Sequence, residues 1–373
     1  MSAVTIRERV QWPLLTPLLA LLVLCLTWFW HDDWPALTLV TVALIGSIVA
    51  AVHHAEVVAH KVGEPFGSLI LAVAVTVIEV ALIVLLMTGG GKGASTYARD
   101  TVFAAVMITF NGIVGLSLVV GARKHNIVSF NASGTGSAVT TVVTLAGVAL
   151  VLPSFTTSAA GREYSPSQLA FAAVASLALY GAFVFTQTIR HRDFFLPVSS
   201  DDTGRATGLL DLDGDGHADP PPARAAWTSL GLLIVSLVSV VGLAKLLSPT
   251  IEDVVADLGL PYTVVGVVIA LFVLAPESIA ATRNAARDRV QLSLNLAYGS
   301  AMASIGLTIP AVALAMIWLS GPLELGLEPI QMVLFVLTIV VTVFTVVQGR
   351  AYALQGFVHL VLLGAWLFLS VHP

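Results

Sequence analysis

The chain has 373 residues, of which 57% are hydrophobic and 10% charged, and its formal net charge is −5. An average soluble domain carries about 25% charged residues, so a soluble protein of this length is excluded. The mean hydropathy of +0.94 assigns the chain to the all-α polytopic membrane proteins. The small negative charge points to no nucleic-acid partner, and the single cysteine, Cys25, excludes an intrachain disulfide.

A spanning helix needs about 20 mainly apolar residues. Eleven runs meet this, near 14–31, 36–53, 66–88, 101–121, 133–152, 166–187, 227–247, 261–281, 293–319, 327–347 and 353–371. The first ends in "HDDW" without a small-residue cleavage site and reads as a retained helix rather than a signal peptide. None of the runs alternates apolar and polar residues as an outer-membrane strand would.

The second run ends in "VHHAEVVAHKVGEP", where Glu56 and His60 lie four residues apart on one helical face with His53 close to it. Histidine titrates near neutral pH, so Glu56, His60 and His53 are candidates for a proton path or pH sensor. A solvated helix end is the plainer alternative. The third run, "LILAVAVTVIEVALIVLLM", carries one carboxylate, Glu79. A charge near the bilayer centre costs about 2.5–3.5 kcal/mol or more, so such a residue faces a cavity and marks an ion path unless it is protonated packing glue. Thr76 lies one turn earlier on the same face. The fourth run contains Asn111 in "TFNGIVGLS".

The longest connection, 188–226, is polar and includes "DLDGDGHAD". There Asp211, Asp213, Asp215, Gly216 and Asp219 fit positions 1, 3, 5, 6 and 9 of an EF-hand loop, while the position of its bidentate Glu is taken by Pro222. The stretch is a candidate for a weak regulatory Ca²⁺ loop or a solvated acidic linker.

Beyond it, the eighth run opens "GLPYTVVGVVIALFVLAPESIAA" and carries Glu277 after Pro276. The third opens "GEPFG", so both begin Gly-x-Pro-aromatic and hold one intramembrane Glu, 14 residues after Pro65 and 16 after Pro261. The run that follows each holds small and amide residues: Asn111 in the first half, Asn295 and Ser300 in the second. With the first helix set apart, five runs precede the long connection and five follow it. An odd number per half makes the halves antiparallel, the inverted repeat of many secondary transporters. The expected layout is an extra N-terminal helix over 1–33, repeats over 34–187 and 227–373, and an acidic linker over 188–226. With the N-terminus in the cytoplasm, thirteen Lys and Arg fall on the cytoplasmic side and four (Lys92, Arg99, Arg162 and Lys245) on the other. With eleven crossings, that bias predicts the linker inside and the C-terminus outside.

"HAEVVAHKVGEPFGSLILAVAVTVIEV" and "LAPESIAATRNAARDRVQLSLNLAYGSAMASIGLTIP" together resemble the cation/proton exchanger branch of the calcium/cation antiporter superfamily, of the bacterial ChaA type. The resemblance covers nearly the whole chain. It implies that Glu79 and Glu277 are the cation-binding glutamates, Glu56 the acidic residue of the preceding helix, and Ser300 and Asn111 the matching polar positions. Exchangers usually carry Gly-Asn shortly before each Glu; Val75-Thr76 and Val273-Leu274 stand here, and Ala303 replaces a common glutamine. The chain therefore has fewer amide ligands than the family pattern.

The expected function is secondary antiport rather than enzymatic catalysis. Burial and like charge disfavour a bare −2 carboxylate pair. Two protons neutralise it, and so does one Ca²⁺, a hard cation that takes 6–8 oxygens. Competition for Glu79, Glu277, Thr76, Asn111 and Ser300 makes the exchange obligatory: Ca²⁺ leaves as H⁺ enters. Na⁺ or K⁺ exchange at the same site is the alternative, and a passive cation channel a weaker one. An intramembrane aspartyl protease needs aspartates where this chain has glutamates. No cofactor is expected beyond the transported ions, the lipid bilayer is the only other partner implied, and the oligomeric state is left open, a homo-oligomer included.

Overall fold

The computed structural model describes residues 12–30, 33–63, 66–89, 93–196, 222–319 and 321–373, without the side chains of 66–72. It is helical as expected. In chain order come α1 (Trp12–Thr27), α2 (Trp34–Val62), α3 (Phe66–Thr88) and α4 (Tyr97–Met107). A π-helical turn, Ile108–Ile113, joins α4 to α5 (Val114–His125), so the three make one continuous span. Then follow α6 (Ala132–Ala146), α7 (Pro166–Phe185), α8 (Ala223–Asp257), α9 (Thr263–Ala285), α10 (Val290–Ala315), α11 (Pro329–Val346) and α12 (Ala353–Val371). Among the described residues, nine helices are long and apolar enough to cross a membrane, and Trp12–Thr27 and Val73–Thr88 are shorter apolar helices. Two-residue strands β1 (Val128–Ser129) and β2 (Arg350–Ala351) pair antiparallel and tie the turn after α5 to the turn after α11.

Local sequence sets several helix ends. "SPSQ" and "EPIQ" start α7 and α11: proline fixes the first helical φ where no N–H is needed, and the glutamine three residues on caps the chain. Gln168 and Gln331 accept from the backbone N–H of Ser165 and Glu328, each at 2.9 Å. Gly259 ends α8 and Gly349 follows α11, both at φ 64°, a conformation that costs glycine nothing.

The surface is inverted relative to a soluble protein. Leu22, Val174, Phe344 and Val361 are more than half exposed, while Arg99, Asp100, Asn111, Gln291 and His359 are buried. Apolar side chains outward and polar ones inward is the arrangement a lipid surround favours.

The chain forms two compact units, residues 1–75 with 199–246 and residues 76–198 with 247–373. In the first, α1 packs on α2. A Cβ on Gly242 of α8 would overlap the end of the Leu24 side chain of α1, which would have to turn aside. The imidazole Nε2–H of His54 donates to the Pro13 carbonyl at 2.9 Å, and Trp12 stands 5.5 Å from the His53 ring. In the second unit, α4 packs on α9, α5 on α12, and α10 on α7, α9 and α6.

Candidate functional site

Glu79 lies on α3 and is 4% exposed; Glu277 lies on α9 and is 7% exposed. Both belong to the second unit. Glu79 accepts a 2.6 Å hydrogen bond from the Ser304 hydroxyl of α10, the helix on which α9 packs. Thr76 is buried one turn before Glu79. Glu277 follows Pro276, and α9 runs on through that proline. A proline within a helix has no N–H for the carbonyl four residues back, so the Phe272 carbonyl lacks its helical donor.

Ser300 is half-buried on α10, and the hydroxyl that meets Glu79 is that of Ser304, one turn further along the same face. Ser304 is not among the residues expected from the sequence, although the i, i+4 spacing in "SAMAS" pairs the two serines on one side of the helix.

Asn111 sits in the π-helical turn, fully buried. Its amide belongs to a cluster that the sequence reading did not find. Nδ2 donates to Thr338 Oγ1 of α11 at 2.9 Å, and Oδ1 meets His359 Nδ1 of α12 at 3.2 Å. His359 Nε2 in turn meets Thr345 Oγ1 at 3.3 Å. His359 is the one imidazole of an otherwise mostly apolar run. Such a residue faces a partner or a cavity, and that was the signal available.

Glu56 and His60 are exposed and His53 is half-buried, all on α2 of the first unit. With Val57 they line one open pocket, as the shared helical face requires. The Asp211, Asp213, Asp215 and Asp219 loop lies outside the described residues. Among the described residues, no three His, Cys, Asp or Glu side chains gather around one point. A cation held by the two glutamates would therefore take its remaining ligands from hydroxyls, amides, carbonyls or water.

A further charged cluster sits at the start of α4. Arg99 Nε donates to Asp100 Oδ1 at 2.8 Å, with both side chains 2% exposed, and Arg99 Nη1 reaches the Gly326 carbonyl at 3.5 Å and Glu328 Oε1 at 3.9 Å. Arg162 pairs with the same Glu328 oxygen at 3.0 Å in an exposed setting. Arg99, one of the four basic residues expected on the non-cytoplasmic side, has its charge buried against an aspartate.

Comparison with known proteins agrees with this geometry. The sodium/calcium exchanger protein family matches residues 33–189 and 228–372. The chain is 34% identical over 370 residues to the sodium-potassium/proton antiporter ChaA of Escherichia coli K12, spanning 98% of this chain and 97% of that one. It is 43% identical over 334 residues to the putative ionic transporter y4hA of Sinorhizobium fredii, 88% and 87%. Its fold is similar to a solved structure of YfkE, with a TM-score of 0.73 at 14% identity over 97% and 100% of the two chains. The H⁺/Ca²⁺ exchanger CAX gives 0.68 at 17% identity over 96% and 88%. The resemblance read from the two glutamate-bearing segments is thus borne out: this multi-pass membrane chain belongs to the sodium/calcium exchanger protein family.

Proposed function

We propose that the protein is a cation/proton antiporter in which Glu79 and Glu277 bind a cation or protons in competition. The observation that carries this reading is the burial of both carboxylates within apolar helices of an exchanger-family chain, at 4% and 7% exposure. A buried −2 pair is unfavourable. Two protons, one divalent cation, or one monovalent cation with one proton neutralise it, and only neutralised states cross between inward and outward access. Thr76, Ser300 and Ser304 supply hydroxyl oxygens, and the Phe272 carbonyl one more. Glu56, His60 and His53 are suited to deliver protons to the cytoplasmic end of α2.

Sodium and potassium stand ahead of calcium in this reading. The full-length relative at 34% identity is named a sodium-potassium/proton antiporter. The absence of amides at Thr76, Leu274 and Ala303 also leaves fewer of the 6–8 oxygens that Ca²⁺ takes. Calcium export remains the second reading, favoured by the named Ca²⁺/H⁺ antiporter of Aphanothece halophytica at 22% identity.

The inverted repeat fits the packing. The third crossing of the first half, α4 to α5, packs on α9 and α12, the second and fifth of the other half. In return α10 packs on α7 and meets α3 through Ser304. The two matched stretches, 33–189 and 228–372, fall on the two halves. Counting α1 and α3 as crossings gives eleven, with the 188–226 linker in the cytoplasm and the C-terminus outside an inner membrane.

The test is collapse of an imposed pH gradient in everted membrane vesicles, with Na⁺, K⁺ and Ca²⁺ added separately. Cation-dependent proton flux is expected in the wild type and its loss in Glu79→Gln and Glu277→Gln. Transport above about a tenth of wild type in either variant, a loss of only about 1.4 kcal/mol in driving interaction, rules out the two-carboxylate scheme. Proton flux without any added cation points to a channel.

A further inference from the structure

Six of the thirteen basic residues expected on the cytoplasmic side gather at one end of the second unit. They come from three stretches: Arg123 and Lys124 at the end of α5, Arg283, Arg287 and Arg289 at the end of α9 and in the turn to α10, and Arg350 in β2 before α12. Three contacts bring these stretches together. Lys124 Nζ donates to the Ala286 carbonyl at 2.8 Å. The strand that follows α5 pairs Ser129 with Arg350. Helices α5 and α12 cross where Gly115 faces Gly356. A Cβ on Gly115 would stand 3.0 Å from the Gly356 carbonyl, and one on Gly356 2.7 Å from the Gly115 carbonyl and 2.8 Å from the Val119 nitrogen. The two glycines let the backbones touch, which sets the end of α5 beside the start of α12.

The charges at this end are unbalanced. The ion pairs among the described residues, Arg99–Asp100, Arg99–Glu328 and Arg162–Glu328, all stand at the opposite end of the α4–α5 span. There each cation has a carboxylate. At the end of α5, none of the six cations forms an ion pair among the described residues, and Asp288 is the one carboxylate in the three stretches. Arg289 is half-buried and the other five are exposed. Five of the six are arginines, whose planar fork suits the oxygens of a phosphate.

The position of Arg123 separates this face from an ordinary solvated helix end. Its guanidinium lies over the Phe357 ring, 5.8 Å from the centroid. Phe357, Leu354 and Val361 are exposed on α12 and form part of the apolar surface turned to lipid. The cations therefore begin where that apolar surface ends, the level at which a bilayer places its headgroup phosphates.

We propose that the ends of α5, α9 and α12 form a binding surface for anionic phospholipid: the headgroup phosphate lies among Arg123, Arg287 and Arg350, and an acyl chain lies along Leu354 and Val361. The bound lipid joins three helix ends that carry mutually repelling charges. Binding is measured without transport, so the inference stands or falls apart from the antiport reading.

The test is the thermal midpoint of the detergent-purified full chain in micelles doped with phosphatidylglycerol, with phosphatidylcholine, or with inorganic phosphate added instead. Phosphatidylglycerol should raise the midpoint saturably, and the other two should not. Each basic residue near an anionic surface contributes about fivefold in binding. The combined Arg123→Gln, Arg287→Gln and Arg350→Gln variant should then need on the order of a hundredfold more phosphatidylglycerol, or lose the effect. Arg162→Gln, at the other end, should respond as wild type does. In the wild type alone, raising NaCl from about 0.05 M to about 0.5 M should weaken the phosphatidylglycerol effect severalfold, because salt screens exposed charge. Equal shifts with the two lipids would return the six cations to a topology signal alone and overturn the inference. A shift reproduced by inorganic phosphate would make the face a free-anion site and overturn the lipid assignment. A salt-insensitive effect, or an equal loss in Arg162→Gln, would overturn it as well.

Discussion

Replacing Arg99 with methionine tests whether the buried ion pair at the head of α4 holds the second unit together. Arg99 and Asp100 are each 2% exposed and 2.8 Å apart. Methionine keeps much of the arginine stem's volume but leaves the Asp100 carboxylate buried with only the neutral side chains of Thr96 and Gln331 as donors. Breaking one side of a buried pair costs about 3–5 kcal/mol, whereas an exposed pair such as Arg162–Glu328, 37% and 44% exposed, is worth about 0.2–1 kcal/mol. The surroundings cannot relax much, because α9 crosses at Gly266, where a Cβ would stand 2.9 Å from the Thr101 nitrogen and 3.0 Å from Asp100. The assay is the thermal midpoint of the detergent-purified protein, followed by loss of the monodisperse peak. Arg99→Met should lower the midpoint far more than Arg162→Met, and adding Asp100→Asn to Arg99→Met should recover most of the loss, since the uncompensated charge is then gone. A double variant no more stable than Arg99→Met, or equal effects of Arg99→Met and Arg162→Met, would refute the reasoning.

Ser304→Ala removes the hydroxyl that bonds Glu79 at 2.6 Å; it should raise the cation concentration needed for half-maximal exchange several-fold with normal membrane insertion, measured by the same vesicle flux. Gly115→Val should separate α5 from α12 and cost about 1–3 kcal/mol, the usual range for overpacking, read as a lowered thermal midpoint together with impaired transport. A reporter enzyme active only in the cytoplasm should be silent when fused after Pro373 and active when inserted in the 188–226 linker; activity at the C-terminus would mean that a crossing had been miscounted.

Most of the helical architecture was legible because the bilayer imposes a length on apolar runs. The spans near 166–187 and 353–371 reappear as α7 and α12 with nearly the same ends, since "SPSQ" and "YALQ" mark their starts chemically. What could not be read was how a helix is wound. Nothing in "ITFNGI" separates a π-helical turn from α-helix, because that choice depends on what packs alongside. Nor could the β1–β2 pairing be read: it joins residues about 220 positions apart, and a two-residue strand leaves no periodicity.

The site was legible to the extent that charge is expensive in lipid. Glu79 and Glu277 stood out because each is the one acid of an otherwise apolar run, and the structure buries both. Neutral polar residues give a weaker signal, because serine and threonine can satisfy themselves on the backbone of their own helix. Thr342 and Thr345 do so at 2.7 and 2.9 Å on the carbonyls of Thr338 and Val341. That is why Ser300 and Ser304 could not be ranked from spacing, and only the bond to Glu79 separates them. An amide or an imidazole has no such local solution: a buried Asn or His must find a partner on another helix. Asn111 and His359 are such residues, one in each half of the chain, and each is the other's partner. In an apolar span, a lone amide and a lone imidazole are therefore better read as two ends of one contact than as two separate sites, and a Gly three or four residues from each marks where the backbones come close enough to make it.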